Sequence, residues 1–87
     1  MQVPLGMVVA TPNALAHVNP ADIQIALQRH MAGDWGDLDA DDKQTNDLAL
    51  KSGERLLSAY QSATGTKFWI ITESDRSSTC ILLPEDY

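Results

Sequence analysis

Six of the twelve acidic residues fall in one fourteen-residue stretch: Asp34, Asp37, Asp39, Asp41, Asp42 and Asp47. Lys43 is the only Lys or Arg inside it. Carboxylates at this density suit three tasks: holding a divalent cation, stabilising a helix start, or facing a basic surface on another protein. Asp37, Asp39 and Asp41 have the spacing of the first three ligands of a calcium loop. The rest of that loop is missing, because Asp42 stands where glycine is needed and Leu48 where a bidentate glutamate is needed. An EF-hand is therefore excluded, and no metal or cofactor is expected. Three readings stay open: a looser Ca²⁺ or Mg²⁺ site, acids favouring a helix dipole by about a few tenths of a kcal/mol each, and a partner-facing acidic patch.

Trp35 lies inside this stretch, flanked by Gly33-Asp34 and Gly36-Asp37. A large ring in a loop either staples the loop onto a core or anchors an interface. Glu73, Asp75 and Arg76 form a second charged group, in a turn. They read as solvated turn residues, or as a guanidinium that organises the acidic loop by reaching Asp34 or Asp37. The candidate partner-binding residues are Asp34, Trp35, Asp37, Asp39, Asp41, Asp42, Asp75 and Arg76.

Nucleophilic chemistry has weaker support. Cys80 sits mid-strand among apolar neighbours, as a buried structural thiol does. His30 lies on the apolar face of a helix, where a hydrogen-bonded core or boundary histidine is the plain reading. His17 falls near a helix end, within reach of terminal carbonyls. No glycine-flanked serine, phosphate-binding glycine loop or paired-histidine zinc helix is present. A hydrolytic or metal-dependent reading has to combine His30 with Asp34, Asp37 and Glu73, and no enzyme activity is expected.

The elements that must hold these residues follow from periodicity and caps. Residues 3–10 read as a short apolar strand weakened by Pro4 and Gly6. Thr11-Pro12 and Asn19-Pro20 are helix starts. Ile23, Ala26, Leu27, His30 and Met31 form one helical face, so a helix is expected over 20–32 with Gly33 as its stop. Asp39 caps a weaker helix to about Ser52, closed by Gly53. From Arg55 the period becomes two. Strands are expected at 55–61, 67–73 and 79–83, with Trp69 in the core. The expected fold is α+β, one domain over 1–87. An N-terminal segment and two to three helices pack on one face of a three- to four-stranded antiparallel meander.

Composition sets the outer limits. The chain has 87 residues, a net charge of −6 and 44% hydrophobic residues, which suits one globular domain. Area scaling expects roughly 5,000 Å² of folded surface. The acidic balance argues against direct binding to nucleic acid or an anionic membrane. There is no long apolar run and no basic leader before the first apolar stretch. One cysteine cannot form an internal disulfide. A cytoplasmic location is the expectation.

The runs His30-Met-Ala-Gly-Asp-Trp-Gly-Asp37, Asn46-Asp47, Ala49-Leu50, Arg55-Leu-Leu-Ser-Ala-Tyr60, Lys67-Phe-Trp-Ile-Ile-Thr-Glu-Ser-Asp-Arg-Ser77 and Leu82-Leu-Pro-Glu-Asp-Tyr87 form one motif set. It resembles a family of small uncharacterised "plasmid-related" proteins from proteobacterial plasmids, prophages and genomic islands. The match covers about residues 29–87. The resemblance implies a gene on a mobile element. Small acidic proteins in that setting are often inhibitors of host defence, of anti-CRISPR or anti-restriction type. The expected function is thus a non-enzymatic protein that docks on a basic surface of a defence complex. A structural module remains the other alternative, a homodimer paired through an exposed strand edge with Tyr87 nearby.

Overall fold

Helix starts in this chain are set by side chains that accept the first free N–H groups. The structure, a computed structural model, describes residues 3–87. Helix α1 (Pro12–His17) opens at Thr11, whose hydroxyl accepts from the Ala14 N–H at 3.1 Å. Helix α2 (Pro20–Met31) opens at Asn19, whose Oδ1 accepts from the Ala21 N–H at 2.8 Å. In both, proline occupies the first turn, where its missing N–H is not needed. Helix α3 (Ala40–Ser52) opens at Asp39, whose Oδ1 accepts from the Asp42 N–H at 2.8 Å. It closes at Gly53 in the left-handed conformation, φ 78°.

Four strands form one sheet: β1 (Met7–Ala10), β2 (Leu56–Gln61), β3 (Lys67–Thr72) and β4 (Ser78–Leu82), in the order β1-β4-β3-β2. A short 3-10 turn, Pro84–Asp86, follows. The class is α+β, as the residue pattern implied. Two details differ from the expected meander. β1 runs parallel to β4, with Met7 opposite Ser78 and Ala10 opposite Ile81, so the sheet is mixed. The first strand also begins at Met7 rather than Val3. Pro4 cannot donate to a ladder, and Gly6 turns the chain at φ 63°. A Cβ on Gly6 would strike the Ser77 and Arg76 backbone, so only glycine fits there.

Alternation divides each strand between two faces. One face is covered by helices. Its main cluster gathers Tyr60, Phe68, Ile70 and Ile81 from the strands with Ala14, Val18, Ala26 and Leu83. A second cluster holds Val3, Trp35, Ala49 and Leu56. The opposite face carries Leu57, Trp69, Ile71, Cys80, Leu82 and Val9, none of which belongs to either cluster. Trp69 and Cys80 are therefore half-buried on this open face and not in the core. The Trp69 ring meets Tyr87 edge-on at 5.8 Å between centroids. The total surface is 5170 Å², close to the size-based expectation. No helix among the described residues is long and apolar enough to cross a membrane.

The chain's last turn is tied to its first helix. Asp86 accepts from the Thr11 hydroxyl and the Asn13 amide, both at 2.7 Å, and from the Leu83 N–H at 3.0 Å. These bonds, that from Thr11 first, hold the Asp86 carboxyl below the usual carboxylate range.

Candidate functional site

The acidic stretch is laid against the β2 edge of the sheet, because the backbone there needs partners. The Ala59 N–H donates to the Trp35 carbonyl at 3.2 Å, and the Asp37 N–H donates to the Ala59 carbonyl at 2.7 Å. Gly36 thereby forms a single parallel bridge to Ala59. It sits at φ 76°, and a Cβ there would collide with the Ala59 carbonyl and the Tyr60 ring. Two residues earlier on the same edge, Leu57 is met by a side chain. Its N–H donates to Asn46 Oδ1 at 3.1 Å, and Asn46 Nδ2 donates to its carbonyl. Asn46 thus serves α3 as a strand segment would, and an otherwise open edge is closed.

Trp35 is 3% exposed, and its indole N–H donates to Asp47 Oδ1 at 2.9 Å. The exposed-anchor reading of Trp35 is corrected: the ring fills the gap between α3 and the sheet beside Leu56 and Ala49. Asp34 is drawn back to α2. Its carboxylate accepts from Arg29 Nε at 2.7 Å and Arg29 Nη2 at 3.2 Å. That pair holds Asp34 below, and Arg29 above, their ordinary pKa values. The Arg29 guanidinium lies 4.9 Å from the centre of the Tyr60 ring. The Tyr60 hydroxyl donates to the Asp34 carbonyl at 2.7 Å, and burial pushes its pKa up to about 12.

Arg76 does not reach Asp34 or Asp37. Its Nη1 donates to the Glu54 carbonyl at 2.6 Å and the Glu73 carbonyl at 3.1 Å, and its Nη2 to the Ala49 carbonyl at 3.3 Å. It thereby ties the C-terminal end of α3, through Ala49 and the following Glu54, to its own turn, where the helix dipole favours a cation. Asp75 remains exposed and only closes its own turn, accepting from the Ser77 N–H at 3.0 Å. The fold separates Asp75 and Arg76 from the acidic loop with which their charges group them in sequence.

What stays together is Asp37, Asp39, Asp41 and Asp42, all exposed. Among the described residues the ion pairs are Arg29–Asp34 and Arg55–Glu73, so none of these four carboxylates forms an ion pair, and Asp39 is engaged only as the cap of α3. Asp42 also lines a shallow hollow of about 200 Å³ with Leu38, Thr45, Asn46, Arg55 and Leu57. No group of three or more metal-ligating side chains gathers among the described residues.

His30 is enclosed completely and belongs to a buried polar chain. Nδ1 lies 2.5 Å from Ser58 Oγ, and Nε2 lies 2.8 Å from Thr72 Oγ1. Thr72 Oγ1 lies 2.8 Å from Thr79 Oγ1, which donates to the Leu5 carbonyl at 2.8 Å. Each hydroxyl has one proton. Thr79 uses its proton on Leu5, so Thr72 donates to Thr79 and must accept from His30. His30 is thus protonated on Nε2, and its bare Nδ1 accepts from Ser58. Burial, then the Arg76 charge, lowers its pKa to about 4. With both nitrogens engaged and no exposure, His30 has no atom to offer Asp34, Asp37 or Glu73. Ser58, Thr72 and Thr79 were not singled out from sequence. Their signal was alternation, which places them on the inward face opposite the helix that carries His30.

No protein family, curated protein or solved structure matches the chain.

Proposed function

We propose that the chain is a non-catalytic binding protein that docks its acidic β2 edge on a basic surface of a larger nucleic-acid-handling complex. The observation that supports this reading is the set Asp37, Asp39, Asp41 and Asp42: exposed, without ion-pair partners, and running from the Asp37 backbone bonded to β2 into the first turn of α3. Such a surface competes for the Lys- and Arg-rich channels that bind phosphate backbones. The likeness to mobile-element proteins narrows the target to a host defence complex of CRISPR or restriction type, met in the cytoplasm. Trp35, Asp75 and Arg76 play no contact role in this reading. Their part is to hold the edge or the turns in place.

The test is phage plating on restriction-competent and CRISPR-competent hosts expressing the chain. Plating should rise on one of them. It should fall back when Asp37, Asp39, Asp41 and Asp42 are all changed to Asn. Binding to the responsible complex should weaken steeply with salt. No rise on any such host, or a rise that the four-fold variant leaves intact, sinks the proposal.

A further inference from the structure

The two edges of the sheet are treated differently. The β2 edge is closed by Asn46 and by residues 35–37, whereas β1 presents its outer side to solvent. Met7 is 69% exposed, and Val8 and Val9 are each 44% exposed. The Met7 N–H donates to Ser77 and the Thr11 N–H to Ile81. In a parallel ladder this register turns the backbone groups of Met7, Val9 and Thr11 toward β4. Those of Val8 and Ala10 consequently point outward, away from the sheet.

We infer that β1 pairs antiparallel with β1 of a second copy. The outward groups are self-complementary about Val9. Val8 would exchange both of its hydrogen bonds with Ala10 of the second copy, and Ala10 with Val8. Val9 would then face Val9 as a non-hydrogen-bonded pair, with Cα atoms about 4.5 Å apart. On the open face the row Leu57, Ile71, Cys80, Val9 ends at this point, and pairing continues it into the same row of the second copy.

Charge favours a second copy as the occupant. The segment from Val3 to Ala16 contains no charged residue, although the chain carries a net charge of −6. The cluster Asp37, Asp39, Asp41 and Asp42 lies along the far edge, beyond β2, while Asp86, next to the end of β1, is held by hydrogen bonds from Thr11 and Asn13. In the paired sheet the two β2 strands would stand about seven spacings apart, roughly 34 Å. That is several times the Debye length of about 8 Å at physiological salt, so the like charges scarcely repel. Copies pairing at any acidic surface would meet that repulsion directly. A short ribbon also buries less than a standard interface of about 1,600 Å², so the association is weak and reversible.

Sedimentation velocity over roughly 1 to 1,000 μM reads this directly. The weight-average mass should rise toward the dimer with concentration and respond little to salt, unlike the docking proposed above. Val8→Pro removes an outward N–H without touching the β4 ladder, and Val9→Lys sets two cations face to face. Each should weaken association at least about ten-fold with little change in melting temperature. In a Cys80→Ala background, Val9→Cys should form a disulfide-linked dimer under mild oxidation. Val8→Cys, which faces Ala10 instead, should not. A monomer at every concentration, a dimer that survives both edge variants, or equal cross-linking of the two cysteine variants overturns the inference.

Discussion

Asn46 pairs with Leu57 as a neighbouring strand would, giving one donor and one acceptor to the same residue's backbone. A helix side chain therefore completes a sheet edge. The substitution Asn46→Ala leaves both Leu57 groups without a protein partner in a part-buried setting. We expect a loss of about 2–3 kcal/mol in urea unfolding. Asn46→Asp should cost a similar amount, because a carboxylate cannot donate to the carbonyl. A change of less than about 0.5 kcal/mol in either would show that water replaces the amide without loss.

The His30 chain makes stability depend on acid. A histidine whose folded pKa is lowered from 6.5 to about 4 contributes fully above pH 6.5. That contribution is lost as pH falls toward 4, because protonation then favours the unfolded chain. The loss over this window is about 3 kcal/mol. Denaturant titrations at pH 7 and pH 4.5 should separate accordingly, and His30→Gln should flatten the slope. Nitrogen shifts of the ring should show Nε2 protonated and Nδ1 bare at neutral pH.

Glycine substitutions should split by what surrounds them. Gly36 and Gly53 both have positive φ, 76° and 78°. Around Gly53 a Cβ meets nothing within 4 Å, so Gly53→Ala carries only the backbone cost of about 1 kcal/mol. At Gly36 the Ala59 carbonyl and the Tyr60 ring block the new methyl. Gly36→Ala should cost more than about 3 kcal/mol and detach residues 35–37 from β2. Hydrogen exchange at the Ala59 and Asp37 amides would report the detachment.

Arg76 is the one described non-glycine residue with positive φ, at 60°. Its guanidinium holds the last turn of α3 while its backbone is strained. Removing the side chain as Arg76→Ala loses this tie and keeps the strain. Arg76→Gly loses the tie and relieves the strain, so it should be the more stable variant by about 1 kcal/mol. Equal melting temperatures for the two would mean that the backbone is not strained in solution.

Trp35→Ala should behave as a core deletion, costing about 3–5 kcal/mol. Trp35→Phe keeps most of the ring but loses the bond to Asp47, at about 1–2 kcal/mol. Both losses should be visible in thermal melts without any partner present.

Caps and periodicity made the elements legible. Thr11, Asn19, Asp39 and Gly53 act where local chemistry alone dictates, within a turn of their own helix. The parallel pairing of β1 was not legible, since strand order depends on contacts more than seventy residues apart in sequence, such as Val8 with Thr79. The acidic cluster was visible as composition, but its division was not. Asp34 turns back to Arg29, Asp47 holds Trp35, and the remaining four, of which Asp39 caps α3, form no ion pair. Arg76 read as a partner for carboxylates because charge dominates its identity. The fold gives it carbonyls instead, since the end of α3 lies closer than any acid. Trp69 read as core because its strand is apolar on both faces, and only one of those faces received helices.

The placement of the two tryptophans has an optical consequence. Trp35 is sealed in the helix-side core, while Trp69 lies half-buried on the helix-free face beside Tyr87. Their fluorescence therefore divides into two independent channels, one reporting whether the interior is intact and the other what rests on the open sheet. A quencher in the solvent should reach the second and spare the first. The protein thus carries, without any label, a separate light signal for folding and for contact.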